Sequence, residues 1–133
     1  MASAKLVIKA RQDVSRSHMI LLVDDDETVR ETSADMLQEL GYGVVQASNG
    51  NEALEVLASH RGVDVMVTDI RMPGMSGLEL SDLASNRFCS LKIILTSGYF
   101  LPQPISRRFL QKPFRTNDLD EAIRAELLLI GHA

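Results

Sequence analysis

Five polar residues sit at or just past the ends of four short apolar runs. Asp24 and Asp25 follow MILLV (19–23), Asp69 follows VDVMV (63–67) after one threonine, Ser97 follows LKIILT (91–96) and Lys112 follows RRFLQ (107–111). If these runs are strands that end together in one parallel sheet, three carboxylates, a hydroxyl and an ammonium share a single pocket. Three close carboxylates repel one another and persist as anions only with a cation among them. Oxygen donors without histidine or cysteine select Mg²⁺, or Mn²⁺ in its place, over zinc. Mg²⁺ takes only one or two direct carboxylates and keeps room for a phosphate oxygen, so the set suits phosphoryl transfer. Asp69 can supply a carboxylate nucleophile. Lys112 can place a compact charge on one phosphoryl oxygen, Ser97 can donate to a second, and the metal can take the third. No strong acid or base is among them, as expected when the donor is already phosphorylated.

The elements that must position these groups alternate. MILLV is continuously apolar, the pattern of a parallel strand covered on both faces. From Glu27 to Leu40 the residues Val29, Ser33, Met36, Leu37 and Leu40 fall on one helical face, and Gly41 follows as a C′ residue with positive φ. YGVVQA (42–47) reads as a weaker edge strand. A second helix runs from about Asn51 to His60, with Ala53, Leu54, Leu57 and Ala58 inward. Val63–Thr68 is the third strand. Met72-Pro73-Gly74 breaks the chain, and Ser76 caps a third helix to about Ala84, with Glu79 at the capping-box position. Leu91–Thr96 is strand four and Phe109–Leu110 anchor strand five. Thr116 or Asn117 opens the final helix, whose buried stripe is Leu119, Ile123, Leu127 and Ile130. Strands separated by single helices mean a βαβ series with right-handed crossovers. Ligands of such sheets bind beyond the carboxyl ends of the strands.

Composition narrows the function classes. At 133 residues, with 45% hydrophobic residues, the chain suits one domain with its own core. A formal charge of −4 gives no support to nucleic-acid binding. The one cysteine, Cys89, leaves no internal disulfide, and no apolar run is long enough to span a membrane. Residues 1–17 lack a continuous apolar stretch and read as a flexible tail or linker remnant rather than a signal peptide, so a cytoplasmic setting is expected.

Four blocks, ILLVDDDETVR (20–30), VMVTDIRMPGMSGLEL (65–80), IILTSGY (93–99) and FLQKPF (109–114), resemble the response-regulator receiver domain of bacterial two-component signalling, in the right order. The likeness covers residues 18–133, and the wording around TSGY and FLQKPF is most similar to receivers of hybrid histidine kinases. It implies a doubly wound (βα)₅, flavodoxin-like α/β fold with a parallel sheet of order 2-1-3-4-5. It implies that Asp69 is the phosphoacceptor and that Asp24, Asp25, Asp69 and the backbone carbonyl of Arg71 form the protein's share of a Mg²⁺ shell. Ser97 matches the switch hydroxyl, Lys112 the phosphoryl-binding lysine, Phe109 the switch aromatic and Pro113 a cis proline. The partner implied is a histidine kinase or histidine phosphotransfer protein. The activity implied is phosphoryl acceptance with weak self-phosphorylation and slow self-dephosphorylation, not kinase activity, and a homodimer is left open.

Two departures from the family pattern carry expectations. The stretch between Ser97 and Lys112 is short and holds Pro102 and Pro104, which no helix interior accommodates. The fourth helix is therefore expected to be rudimentary or irregular. Arg71 and Tyr99, each two residues past a site residue, border the path of the attacking water and are expected to lengthen the life of an aspartyl phosphate.

Blander readings stand beside these. A DDD run is often a solvated turn with Asp26 capping a helix, and an aspartate before a Pro-Gly loop is often structural. An aspartyl-nucleophile phosphatase would also use an Asp-centred Mg²⁺ site, but it needs a second aspartate where this chain has Arg71. A passive binding module has no need for all five polar residues together.

Overall fold

The computed structural model describes residues 18–99 and 105–129. Five parallel strands, β1 (Met19–Val23), β2 (Gly43–Ala47), β3 (Val63–Asp69), β4 (Lys92–Ser97) and β5 (Arg108–Gln111), lie in the order β2-β1-β3-β4-β5. Four helices accompany them: α1 (Glu27–Glu39), α2 (Gly50–Ser59), α3 (Gly77–Arg87) and α4 (Thr116–Leu128). The expected α/β fold and strand order hold, with β2 at one edge. Among the described residues no helix is long and apolar enough to cross a membrane.

Period-two alternation on strands buried from both sides splits the core in two. Leu21, Val23, Met66, Ile93 and Leu95 pack with Ala53 and Leu57 of α2 and Leu80 and Ala84 of α3. On the other face Ile20, Leu22, Val65, Val67 and Ile94 pack with Ala34 and Leu37 of α1 and Leu119, Ala122 and Ile123 of α4. The stripes read from sequence are the buried ones at Ser33, Leu37, Ala53, Leu57, Leu80, Leu119 and Ile123. Ala58 is exposed, contrary to expectation, because at 3.6 residues per turn it lies about 140° around α2 from Ala53, off the face that meets the sheet. Ile130 and the tail expected over 1–17 lie outside the described residues.

Local chemistry sets the helix ends. The Asp26 carboxylate accepts from Val29 N at 3.1 Å and caps α1. Asn49 caps α2, accepting from Glu52 N at 2.8 Å. Ser76 and Glu79 form the expected reciprocal box at α3, both bonds at 3.1 Å. Gly41, past the end of α1, has φ 96°, where only glycine is unstrained. Helix α3 runs to Arg87, one turn beyond the sequence estimate, since Ser85 and Asn86 favour no stop strongly enough to end it.

Between β4 and β5 the described residues, Tyr99 and 105–107, are not helical; the stretch with Pro102 and Pro104, on which the expectation of an irregular fourth helix rests, lies outside the described residues. Ile105 packs on the α2/α3 side of the core. The Arg107 guanidinium donates to Ser85 Oγ at 3.1 Å and lies 3.7 Å from the Asp82 carboxylate, tying the start of β5 to α3.

Gly77 joins α3 to the end of β3. Its N–H donates to the Ile70 carbonyl at 2.8 Å. A Cβ at this position would overlap the Asp69 carbonyl oxygen and stand 2.9 Å from Ile70 Cα, both backbone atoms that yield only by moving the strand end. Gly62, by contrast, has nothing within 4 Å of a built Cβ. Gly77→Ala is expected to destabilise the domain by roughly 1–3 kcal/mol, as overpacking does, while Gly62→Ala leaves it nearly unchanged. Urea midpoints of the two variants check this.

Candidate functional site

The parallel register delivers the polar residues to one end of the sheet. Val23 is level with Thr68, so the residues that follow, Asp24 and Asp69, are neighbours across β1 and β3. Ser97 ends β4 opposite Gln111, and Lys112 N–H donates to the Ser97 carbonyl at 2.8 Å, which seats the lysine beside β4. The Lys112–Pro113 peptide bond is cis.

Lys112 reaches into the acidic group. Its Nζ is 2.6 Å from Asp24 Oδ2 and 3.5 Å from Asp69 Oδ2. Carboxylate oxygens of Asp24, Asp25 and Asp69 all lie within 4.8 Å of one another. Asp24 is 5% exposed, so it is no solvated turn residue. Its other oxygen accepts from Asp26 N at 3.0 Å. Asp69 Oδ1 accepts from Ile70 N at 3.0 Å. Asp25 is exposed and borders an open recess of about 700 Å³ between the Ser48–Glu52 turn and Pro73–Met75. Asp24, Asp69 and Lys112 do not line this recess, which meets the acidic group only at Asp25. One ammonium pairs with two of the three carboxylates and Asp25 is left without one, and every donor is a hard oxygen, so the residues present fit Mg²⁺.

Burial raises the Asp69 pKa above its ordinary value, and Asp24 beside it adds to the rise, while Lys112 opposes it by charge and hydrogen bonding, as does the Ile70 N–H. The carboxylate expected to do the chemistry is thus one whose anionic form a further cation would favour.

The remaining predicted residues surround this core rather than join it. Ser97 is 1% exposed, and its Oγ accepts from Tyr99 N at 3.1 Å. Phe109 lies level with Leu95 on the α2/α3 face of the sheet and packs against that core cluster. The Arg71 guanidinium carbon stands 4.4 Å from the centroid of the exposed Tyr99 ring, a cation–π pair. Sequence reasoning missed Gly77, and it gave Arg30 no role. No spacing rule marks either one, since both act through backbone atoms of other segments.

Residues 20–124 match the family model described as the response regulator receiver domain. The chain belongs to that family. It is 37% identical to the sensor kinase CckA of Brucella abortus over 95% of this chain and 14% of that protein. It is 35% identical to the DNA-binding transcriptional regulator NtrC of Salmonella typhimurium over 86% of this chain and 25% of that protein. The chain therefore spans only a small part of these relatives. Among solved structures, the receiver domain of the hybrid histidine kinase CckA superposes with a TM-score of 0.73 at 31% identity, covering 82% of this chain and 98% of that one. The response regulator TrrA of Thermotoga maritima, solved in complex with Mg²⁺-BeF, gives 0.75 at 34% identity, covering 81% and 97%. The family role is that of phosphoacceptor in two-component signalling, with Mg²⁺ at the acidic pocket, and receivers interact with histidine kinases or phosphotransfer proteins.

A group whose folded-state pKa is raised contributes stability that is present below its unfolded pKa and lost as pH rises through the folded value. Asp69→Asn in this receiver, held in a chelator, is therefore expected to melt a few degrees above wild type near neutral pH, and the difference should vanish below the ordinary aspartate range. Added Mg²⁺ should raise the wild-type melting temperature and leave the variant nearly unmoved. Thermal melts across pH, with and without Mg²⁺, check both signs.

Proposed function

We propose that this receiver takes a phosphoryl group from the phosphohistidine of a histidine kinase or histidine phosphotransfer protein onto Asp69. The observation that carries this is the Lys112 ammonium standing between the Asp24 and Asp69 carboxylates where β1, β3 and β5 end. An Asp69 oxygen attacks phosphorus, the P–N bond of the donor breaks as the P–O bond forms, and the imidazole leaves with the electron pair and is protonated from solvent. Mg²⁺, or Mn²⁺ in its place, supplies when bound the charge that lets three anionic groups and a phosphoryl group coexist. Asp24, Asp25, Asp69 and the Arg71 carbonyl would hold it.

The chain's own residues do the rest. Lys112 starts paired with Asp24 and Asp69 and can turn its charge to a phosphoryl oxygen without leaving the pocket. Ser97, buried beside Lys112, can donate its hydroxyl proton to a second oxygen while its lone pair keeps the Tyr99 N–H. That draws the end of β4 toward the acidic group. Phe109, one strand away and level with Leu95, is the aromatic placed to register such a shift and carry it to the β5 surface that a partner protein meets. The protein works in the cytoplasm by protein contacts, without direct nucleic-acid binding, and a homodimer is one form that contact can take.

Incubation with acetyl phosphate and Mg²⁺, read on a phosphate-affinity gel, should retard wild type and leave Asp69→Asn unshifted. Chelation should abolish the shift, and Lys112→Ala should slow it by at least about tenfold, as loss of one preorganised charge does. A wild type that never shifts, and that ignores beryllofluoride with Mg²⁺ in a melt, would be a passive module instead.

The Arg71–Tyr99 pair supports a further part of this reading, slow self-dephosphorylation. Stacked on each other two residues past Asp69 and Ser97, the two side chains would narrow the approach of water to phosphorus. Arg71→Ala with Tyr99→Ala is expected to lose its aspartyl phosphate several-fold faster than wild type, measured by decay of the retarded band after the donor is removed.

A further inference from the structure

The three carboxylates are not held equally. Asp24 is fixed by Lys112 and by Asp26 N, and Asp69 by Ile70 N and Lys112. Among the described residues none hydrogen-bonds the Asp25 carboxylate, which is exposed. Its position therefore rests on the backbone to either side. Asp26 N–H is held by Asp24 Oδ1. The peptide that joins Asp24 to Asp25 is held through its carbonyl, the Asp24 oxygen, which accepts from Arg30 Nη1 at 2.7 Å. That distance belongs to a short, charge-assisted bond.

Arg30 sits in the first turn of α1, and its guanidinium is itself aimed. Nε donates to Gln46 Oε1 on β2 at 2.9 Å. The adjacent β2 residue, Ala47, accepts from Asp24 N at 3.2 Å through its carbonyl. The Asp24 backbone is thus gripped on both sides from β2, once directly and once through the fork of Arg30. A planar guanidinium can serve a carbonyl and an amide oxygen at once, whereas an ammonium on a flexible stem holds no such fixed angle.

We propose that Arg30, aimed by Gln46, is a positioning residue for the metal-binding acidic pair. It sets the orientation of the Asp24–Asp25 peptide and so the place of the Asp25 carboxylate. The inference rests on the Mg²⁺ reading of the site given above. Because Arg30 spends its donors on a carbonyl and an amide, it leaves the carboxylate oxygens free for the ion.

The sign of the effect separates this role from simple electrostatics. A cation near a Mg²⁺ site weakens binding, so an Arg30 that is only a nearby charge would make Arg30→Ala bind Mg²⁺ more tightly. A positioning role makes Arg30→Ala bind more weakly, by about tenfold, as loss of a group that orients a metal ligand does. Titration of the metal-free protein with MgCl₂, by calorimetry and by amide shifts of residues 24–26, reads the affinity without any phosphoryl donor. Gln46→Leu keeps every charge and should weaken Mg²⁺ in the same direction by a smaller factor. Arg30→Lys, charged but without the fork, should restore less than half of the lost affinity on a logarithmic scale. Unchanged or tighter binding in Arg30→Ala and Gln46→Leu overturns the proposal. If wild type binds no Mg²⁺ at all, the Mg²⁺ reading fails instead. Should Arg30→Ala not fold, the Gln46→Leu titration decides alone.

Discussion

Like charges forced together at the end of a parallel sheet are the constraint around which this molecule is organised. Asp24 and Asp69 arrive side by side because β1 and β3 are in register, and Asp25 follows one residue later. Burial makes the Asp69 anion unfavourable, and the Lys112 ammonium only partly offsets this. A divalent cation placed there would relieve that repulsion, and only then would an anionic phosphoryl oxygen be tolerated beside the carboxylates. The same features that make the site hard to maintain therefore make it receptive. The low dielectric that burial imposes also strengthens whatever charge arrives.

Holding the pocket open against its own repulsion falls to backbone contacts. Asp24 is anchored to β2 through Ala47, Asp69 to β4 through the Ile70–Thr96 bond, and Lys112 to β4 through Ser97. Each acidic or basic residue thus hangs from a neighbouring strand and not from its own alone. This is why the chemistry sits just past the strand ends, where ladder pairing still fixes the main chain but side chains have left the packed core.

Much of this was legible in the sequence, for identifiable reasons. Continuous apolar runs of strand length mark strands buried on both faces, and the residue types that end them named the pocket. Ser76 with Glu79 and the glycine at 41 were readable because caps obey local rules. What escaped was non-local. Arg30 looks like any outward arginine until β2 brings Gln46 alongside. The tie from Arg107 to Ser85 and Asp82 depends on where α3 happens to lie, which no local pattern in the sequence states.

The close seating of Gly77 on the end of β3 has a wider consequence. Where a helix meets a strand main chain to main chain, the gap between them is set by a hydrogen atom and not by any side chain that can drift in size. The depth of the Asp69 carboxylate is then a fixed dimension of the scaffold. Bulk and charge at exposed positions such as Arg71 and Tyr99 can change without altering that depth.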